Sequence, residues 1–140
     1  MEEARERDLE TLRGLYSEWA RGDFDNSDYF TDDVVWDPGS DILEIGEFTG
    51  KEAMSANWRG FLQAFSQGFR IEAEEIIPGS EGRYVVMQLF EGIGKASGVE
   101  TKGRTALAIT MRDGKIAEMH GFLDREAALR AAGIDTDAGR

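Results

Sequence analysis

Near residue 69 the apolar period of this chain changes from three or four residues to two, and no other feature restricts its fold as strongly. Upstream, Leu9, Leu12, Leu15, Tyr16 and Trp19 recur at helical steps and make one apolar stripe that ends at Gly22. Downstream, segments 69–77, 84–94, 102–112 and 115–123 alternate or run apolar, separated by "PGSEG", "KASG" and "RDGK", which are turn compositions. Four antiparallel strands are predicted. Helices followed by a meander of strands place the chain in the α+β class, with the helices packed on one face of a curved sheet.

Between these halves, Phe24, Tyr29 and Phe30 fall in a short helical turn, and "VVWDPG" reads as a brief strand stopped by Pro38 and Gly39. The stretch from Ser40 to Phe48 reads as a loop. "TGKE", Thr49 to Glu52, has the form of a capping box and opens a helix bearing Met54, Trp58, Phe61, Leu62 and Phe65. "DREAALRAAG" closes the fold as a short helix capped by Asp124 and stopped at Gly133. All 140 residues fit a single domain, long enough to remove roughly two-thirds of its unfolded surface from water.

Composition narrows the partners. The absence of cysteine excludes disulfides, thiolate metal sites and a cysteine nucleophile together. A net charge of -12 without a local basic patch argues against nucleic acid and anionic membrane surfaces. No apolar run approaches the roughly 20 residues that span a bilayer, and "MEEARERDLE" lacks the apolar core of a signal peptide, so a cytoplasmic location is expected. A small neutral or cationic ligand, or a protein partner, is what remains. In the acidic stretch between Gly22 and Gly50, "DFDNSD" begins like a calcium loop but lacks the glycine and glutamate that geometry requires. It reads as a solvated acidic rim, and no metal site is expected.

The order of elements, with "DDVVWDPG", "FTGKEAM" and above all "SGVETKGRTALAITMRDGKIAEMHGFLDREAALRAAG", resembles the nuclear transport factor 2-like superfamily, specifically its SnoaL-like branch, over nearly the whole chain. That resemblance implies a cone-shaped barrel in which a strongly bent antiparallel sheet wraps around the N-terminal helices and leaves a blind apolar pocket, often in a homodimer joined through the outer face of the sheet. Such relatives include ketosteroid isomerases, polyketide cyclases, limonene epoxide hydrolases and scytalone dehydratases, together with members that catalyse nothing. Fold therefore leaves several functions open. One is cofactor-independent isomerase, cyclase or hydrolase chemistry by proton transfer on a small hydrophobic substrate. The others are a ligand carrier or sensor, and a dimeric interaction module.

Side-chain alternation puts Val35 and Asp37 on one face of their strand and Val34 and Trp36 on the other. Asp37 resembles the Asp-Pro site where ketosteroid isomerases hold their general base, and Tyr16 resembles the tyrosine that polarises the substrate. In an apolar hollow the carboxyl would gain a pKa suited to proton transfer. The place of the second donor is occupied by Leu107, so half of the family's oxyanion hole is missing. Expected pocket-lining residues are Trp19, Phe30, Val35, Trp58, Phe61, Phe90, Leu107, Met119 and Leu123. His120, the one histidine, shares a strand face with Glu118 and Phe122 and is expected on the outer surface, where Val85, Met87, Leu89, His120 and Phe122 could support a homodimer.

Overall fold

Nineteen residues, Glu2–Ala20, form the first helix (α1) of the computed structural model, which describes residues 2–38, 47–65 and 69–134. A 3-10 turn at Ser27–Tyr29 leads into β1 (Phe30–Asp37), followed by β2 (Phe48–Thr49) and a second helix, α2 (Lys51–Leu62). The second half contributes β3 (Arg70–Pro78), β4 (Arg83–Ile93), β5 (Glu100–Arg112) and β6 (Lys115–Phe122), and then the helix α3 (Arg125–Ala131). These four strands lie where the two-residue period predicts them.

Two local expectations are corrected. Phe30 opens β1 instead of closing a helical turn. Thr49 does not cap α2, because it is paired with Val35 in β2. Gly50 takes the N-cap position at a φ of 96°, without a side-chain cap, in a conformation that an L side chain rarely adopts. By contrast, Asp124 caps α3 as expected, its carboxylate accepting from the Glu126 N–H. Of the loop expected from Ser40 to Phe48, residues 40–46 lie outside the described residues and Phe48 belongs to β2.

The sheet is curved and unclosed, with strand order β2-β1-β6-β5-β4-β3. All pairings are antiparallel except β1 with β6, which run parallel, so the sheet is mixed. The β5–β6 hairpin turns through Asp113 (φ 53°) and Gly114 (φ 78°), the doubly left-handed pair that matches the twist of a hairpin.

One face of the sheet carries the main core. Val34 and Trp36 from β1, Ile71 from β3, Tyr84 and Val86 from β4, Leu107, Ile109 and Met111 from β5, and Ile116 and Met119 from β6 pack against Leu12, Leu15, Tyr16 and Trp19 of α1 and Met54 of α2. Leu12 and Leu15 are completely buried, and each contributes about 1.5–3 kcal/mol by leaving water. The opposite face has its own smaller core. Val85, Met87 and Ala106 are covered there by Ala128 and Ala132 of the α3 segment. Among the described residues, no helix is long and apolar enough to cross a membrane.

Candidate functional site

A pocket of about 330 Å³ opens where α1 ends, between the Phe24–Phe30 segment and α2. Its apolar wall is Trp19, Phe24, Phe30, Met54, Trp58 and Leu62. Trp58 is the hub: its ring stacks on Trp36 (centroids 5.6 Å apart, planes 17° apart) and on Phe24 (5.7 Å, 22°), and lies 5.5 Å from Trp19. Two buried donors fix the outer rings of this stack. The Trp36 indole N–H donates to Asn57 Oδ1 at 2.8 Å, and that of Trp19 to Asn26 Oδ1 at 2.7 Å.

Asn26 is buried, and its polar atoms are committed to the wall. Its amide group donates to Glu18 Oε1 at 2.8 Å and to the Asp23 carbonyl at 3.0 Å. Hydrogen bonds from Tyr29 and then Asn26 hold the Glu18 carboxyl below its ordinary pKa. Among the described residues, the polar side chains at the pocket that form no hydrogen bond are Asp25, Ser27, Ser55 and Arg59. Asp25 supplies the one carboxylate in the lining. Beyond Trp58 the ring contacts continue through Phe61, Phe65, Phe69 and Phe90, outside the pocket lining.

Tyr16 lies behind Trp19, edge to face at 4.9 Å. Its hydroxyl donates to Gln88 Oε1 at 2.7 Å, and the Gln88 amide donates to Thr105 Oγ1 at 3.1 Å. Burial raises the Tyr16 pKa far above its ordinary value, so the phenol keeps its proton and its donor is committed to Gln88. Tyr16→Phe leaves the buried Gln88 oxygen without that partner and is expected to cost about 1–3 kcal/mol in urea denaturation. Adding Gln88→Met should recover part of the loss. A double variant whose cost equals the sum of the single ones would show that the two residues are not coupled.

Asp37 points the other way. Its neighbour Trp36 faces α2, and Asp37 lies on the opposite side of β1, beside His120 of β6 in the parallel ladder. His120 Nδ1 lies 3.3 Å from Asp37 Oδ2, and Nε2 lies 3.0 Å from Glu118 Oε1. Burial disfavours the charged imidazole, but the two carboxylates outweigh it and the pKa of His120 is raised. Glu47 also reaches this spot: one oxygen each from Asp37 and Glu47 and a ring nitrogen of His120 lie within 4.8 Å of one another. Asp37 and Tyr16 therefore sit on opposite faces of the sheet. The expectation that they share a hollow is corrected, because the phase of β1 is set by Val34 and Trp36 entering the core.

The SnoaL-like domain model matches residues 12–119, more than half of the chain. The chain belongs to the SnoaL-like family. A comparison with curated proteins finds no match. Among solved structures, Bal32a from a soil-derived mobile gene cassette is 15% identical with a TM-score of 0.75, covering 92% of this chain and 98% of its own. A protein of Jannaschia sp. CCS1 assigned as a SnoaL-like polyketide cyclase is 18% identical with a TM-score of 0.71, covering 92% and 93%. TerC, co-crystallised with polyporic acid, is 21% identical with a TM-score of 0.69, covering 90% and 97%. At these identities the likeness is one of fold.

On this SnoaL-like scaffold the expected lining residues separate into groups. Trp19, Phe30 and Trp58 do line the pocket. Leu107 and Met119 are buried in the core beneath it, whereas Phe90 and the 41% exposed Phe61 belong to the ring cluster around Phe69. Val35 shares the Asp37 face as alternation predicts, and is corrected as a lining residue because Val34 and Trp36 turn to the core instead. Leu123 is also corrected: β6 ends at Phe122, and Leu123 is 59% exposed in a groove with Met87, Ala106 and Arg125 on the α3 side. Val85 and Met87, expected to await a second subunit, are already covered by α3 of the same chain. His120 lies on the outer face as expected, although a bulge next to Met111 turns Ile116 into the core. Sequence reasoning missed Asn26, Asn57 and Gln88. The one signal for Gln88 was a lone amide inside an apolar strand.

Proposed function

We propose that this SnoaL-like protein binds a small, flat, largely apolar molecule at the aromatic pocket where α1 ends. The observation that carries this reading is the aromatic wall of the pocket, in which Phe24 and Trp58 are only half-buried, beside Ser27, Ser55 and Arg59. Rings of this kind gain most from a planar partner. The nearby hydroxyls and guanidinium suit a ligand carrying one or two oxygen acceptors, such as carbonyl or phenolic groups. At about 330 Å³ the pocket falls at the lower end of the range for small-molecule sites, which suits a one- or two-ring compound. Two fold relatives support ligand binding as the use of the scaffold: TerC with polyporic acid, and a protein of Catenulispora acidiphila DSM 44928 in complex with trimethylamine.

The reading is of a carrier or sensor. Isomerase, cyclase or hydrolase chemistry by proton transfer would need a base facing the ligand. Asp37, the expected base, faces away, the Tyr16 proton is committed to Gln88, and Asp25, the one carboxylate in the lining, is exposed to water instead of being walled in by the rings.

Titrating the protein with a panel of aromatic ketones, phenols and quinones, followed by calorimetry, tests the proposal. At least one member should bind with a 1:1 stoichiometry, and Trp58→Ala should weaken it by about tenfold or more, since a ring stack is worth roughly 0.5–1.5 kcal/mol beyond the area it buries. A panel that does not bind, or equal affinity in Trp58→Ala, overturns it.

A further inference from the structure

We propose that Asp37, Glu47 and His120 form a binding site for a single divalent transition-metal ion of the zinc type, on the face of the sheet opposite the aromatic pocket. The argument starts from the two nitrogens of one ring. If His120 donates its Nε2 proton to Glu118, the lone pair of Nδ1 faces Asp37 Oδ2 at 3.3 Å. Two acceptors at that distance repel unless a proton or a cation sits between them. The separation also lies just past the roughly 2.7–3.2 Å range of an N–H···O hydrogen bond. It matches the edge of a tetrahedron around an ion with bonds of about 2.0–2.1 Å, in which neighbouring ligand atoms stand about 3.3 Å apart.

The remaining parts fit the same ion. Glu47, an exposed side chain, brings a second carboxylate oxygen within 4.8 Å of both other ligand atoms and has to close in to reach the tetrahedral spacing. Imidazole with carboxylates is a donor set for zinc and its first-row neighbours, whereas magnesium and calcium prefer oxygen alone. Glu118 stands where an outer-shell acceptor normally orients a ligating histidine, on the ring nitrogen that does not touch the ion. Three protein ligands leave a fourth position for water or for a donor atom of a small molecule. His120 and Asp37 are held by adjacent strands in parallel register, His120↔Asp37, so the ladder preorganises two of the three ligands. Their side chains are 26% and 16% exposed, accessible to an ion yet partly shielded from bulk water. Arg83 shares the groove beside Glu118 and His120, so the local charge is not purely negative.

Tag-free protein stripped with a chelator, then titrated with Zn²⁺ against a chromophoric competitor and separately with Co²⁺, tests this site. One ion per chain is expected, with visible Co²⁺ absorption of the intensity that low coordination produces. His120→Ala should abolish both signals, and Glu118→Gln should weaken Zn²⁺ by about 10- to 100-fold. Glu91→Gln, at a carboxylate paired with Arg70 elsewhere on the sheet, should change nothing. Circular dichroism establishes that each variant is folded; if His120→Ala is not, Asp37→Asn makes the same comparison. Absence of Zn²⁺ binding in the parent protein, or equal binding after loss of the histidine or of the Asp37 carboxylate, overturns the proposal without touching the aromatic pocket.

Discussion

Trp19→Ala is expected to lower the unfolding free energy by about 3–5 kcal/mol, the range for deleting a large aromatic side chain from a packed core. Trp19 is 2% exposed and meets Tyr16, Phe24 and Trp58 within ring-contact distance. Removing it opens a cavity between α1 and α2 and also strips Asn26 Oδ1 of its indole donor. Trp19→Phe separates the two effects. It restores most of the ring volume but leaves the buried amide oxygen unpartnered, and should cost about 1–3 kcal/mol. Urea denaturation with linear extrapolation measures both. A loss below about 1 kcal/mol for Trp19→Ala, the level of an average point substitution, would mean that the aromatic group is not packed as described.

Gly79→Ala should be the most damaging added methyl among the described glycines, having the tightest approach. A Cβ there would lie 2.3 Å from the Ala132 carbonyl oxygen and 3.1 Å from the Ala132 Cβ, so the end of α3 has to move. That same oxygen is the anchor of the helix, accepting from the Ser80 N–H at 2.9 Å and the Ser80 hydroxyl at 3.1 Å. Overpacking of this sort costs about 1–3 kcal/mol. The consequence is local before it is global: α3 lifts, and Val85 and Met87 lose their cover. The variant should therefore bind an apolar dye such as ANS more strongly and tend to self-associate, readable by dye fluorescence and sedimentation. Unchanged stability together with unchanged dye binding would show that α3 is not held through Ala132.

What could be read in advance, and what could not, follows from the range of the forces involved. Strands β3–β6 were legible because each is bounded by local turn chemistry, of which Asp113–Gly114 is the clearest case, and because a half-buried strand writes its period into successive residues. Helix α1 was legible from its stripe, and α3 from Asp124 at its start. The facing of Asp37 was not, because β1 is a short strand with a bulky apolar residue on each face, Val34 and Trp36 on one and Val35 on the other. Only its distant pairing with β6 decides which side is the core. Buried polar residues were hidden for a similar reason. Asp8 falls on the apolar stripe of α1, four residues before Leu12 and seven before Leu15, but its charge disguises it as a surface residue; it is 5% exposed and accepts from the Tyr84 hydroxyl at 2.9 Å. Burial and then Asp8 push the Tyr84 pKa up to about 12. Nothing near Asp8 in the chain announces Tyr84, and the same is true of Asn26, set in an acidic run that reads as solvated. The Thr49 capping box failed because a two-residue strand outcompeted it.

The parallel ladder between β1 and β6 also governs the order in which the molecule can assemble. Asp37 and His120 are 83 positions apart, so a ribosome adding about 5–20 residues per second separates their emergence by on the order of ten seconds. Throughout that interval Trp36 has no β6 beside it, and a nascent chain halted before residue 115 presents an unpaired strand edge next to bare indoles.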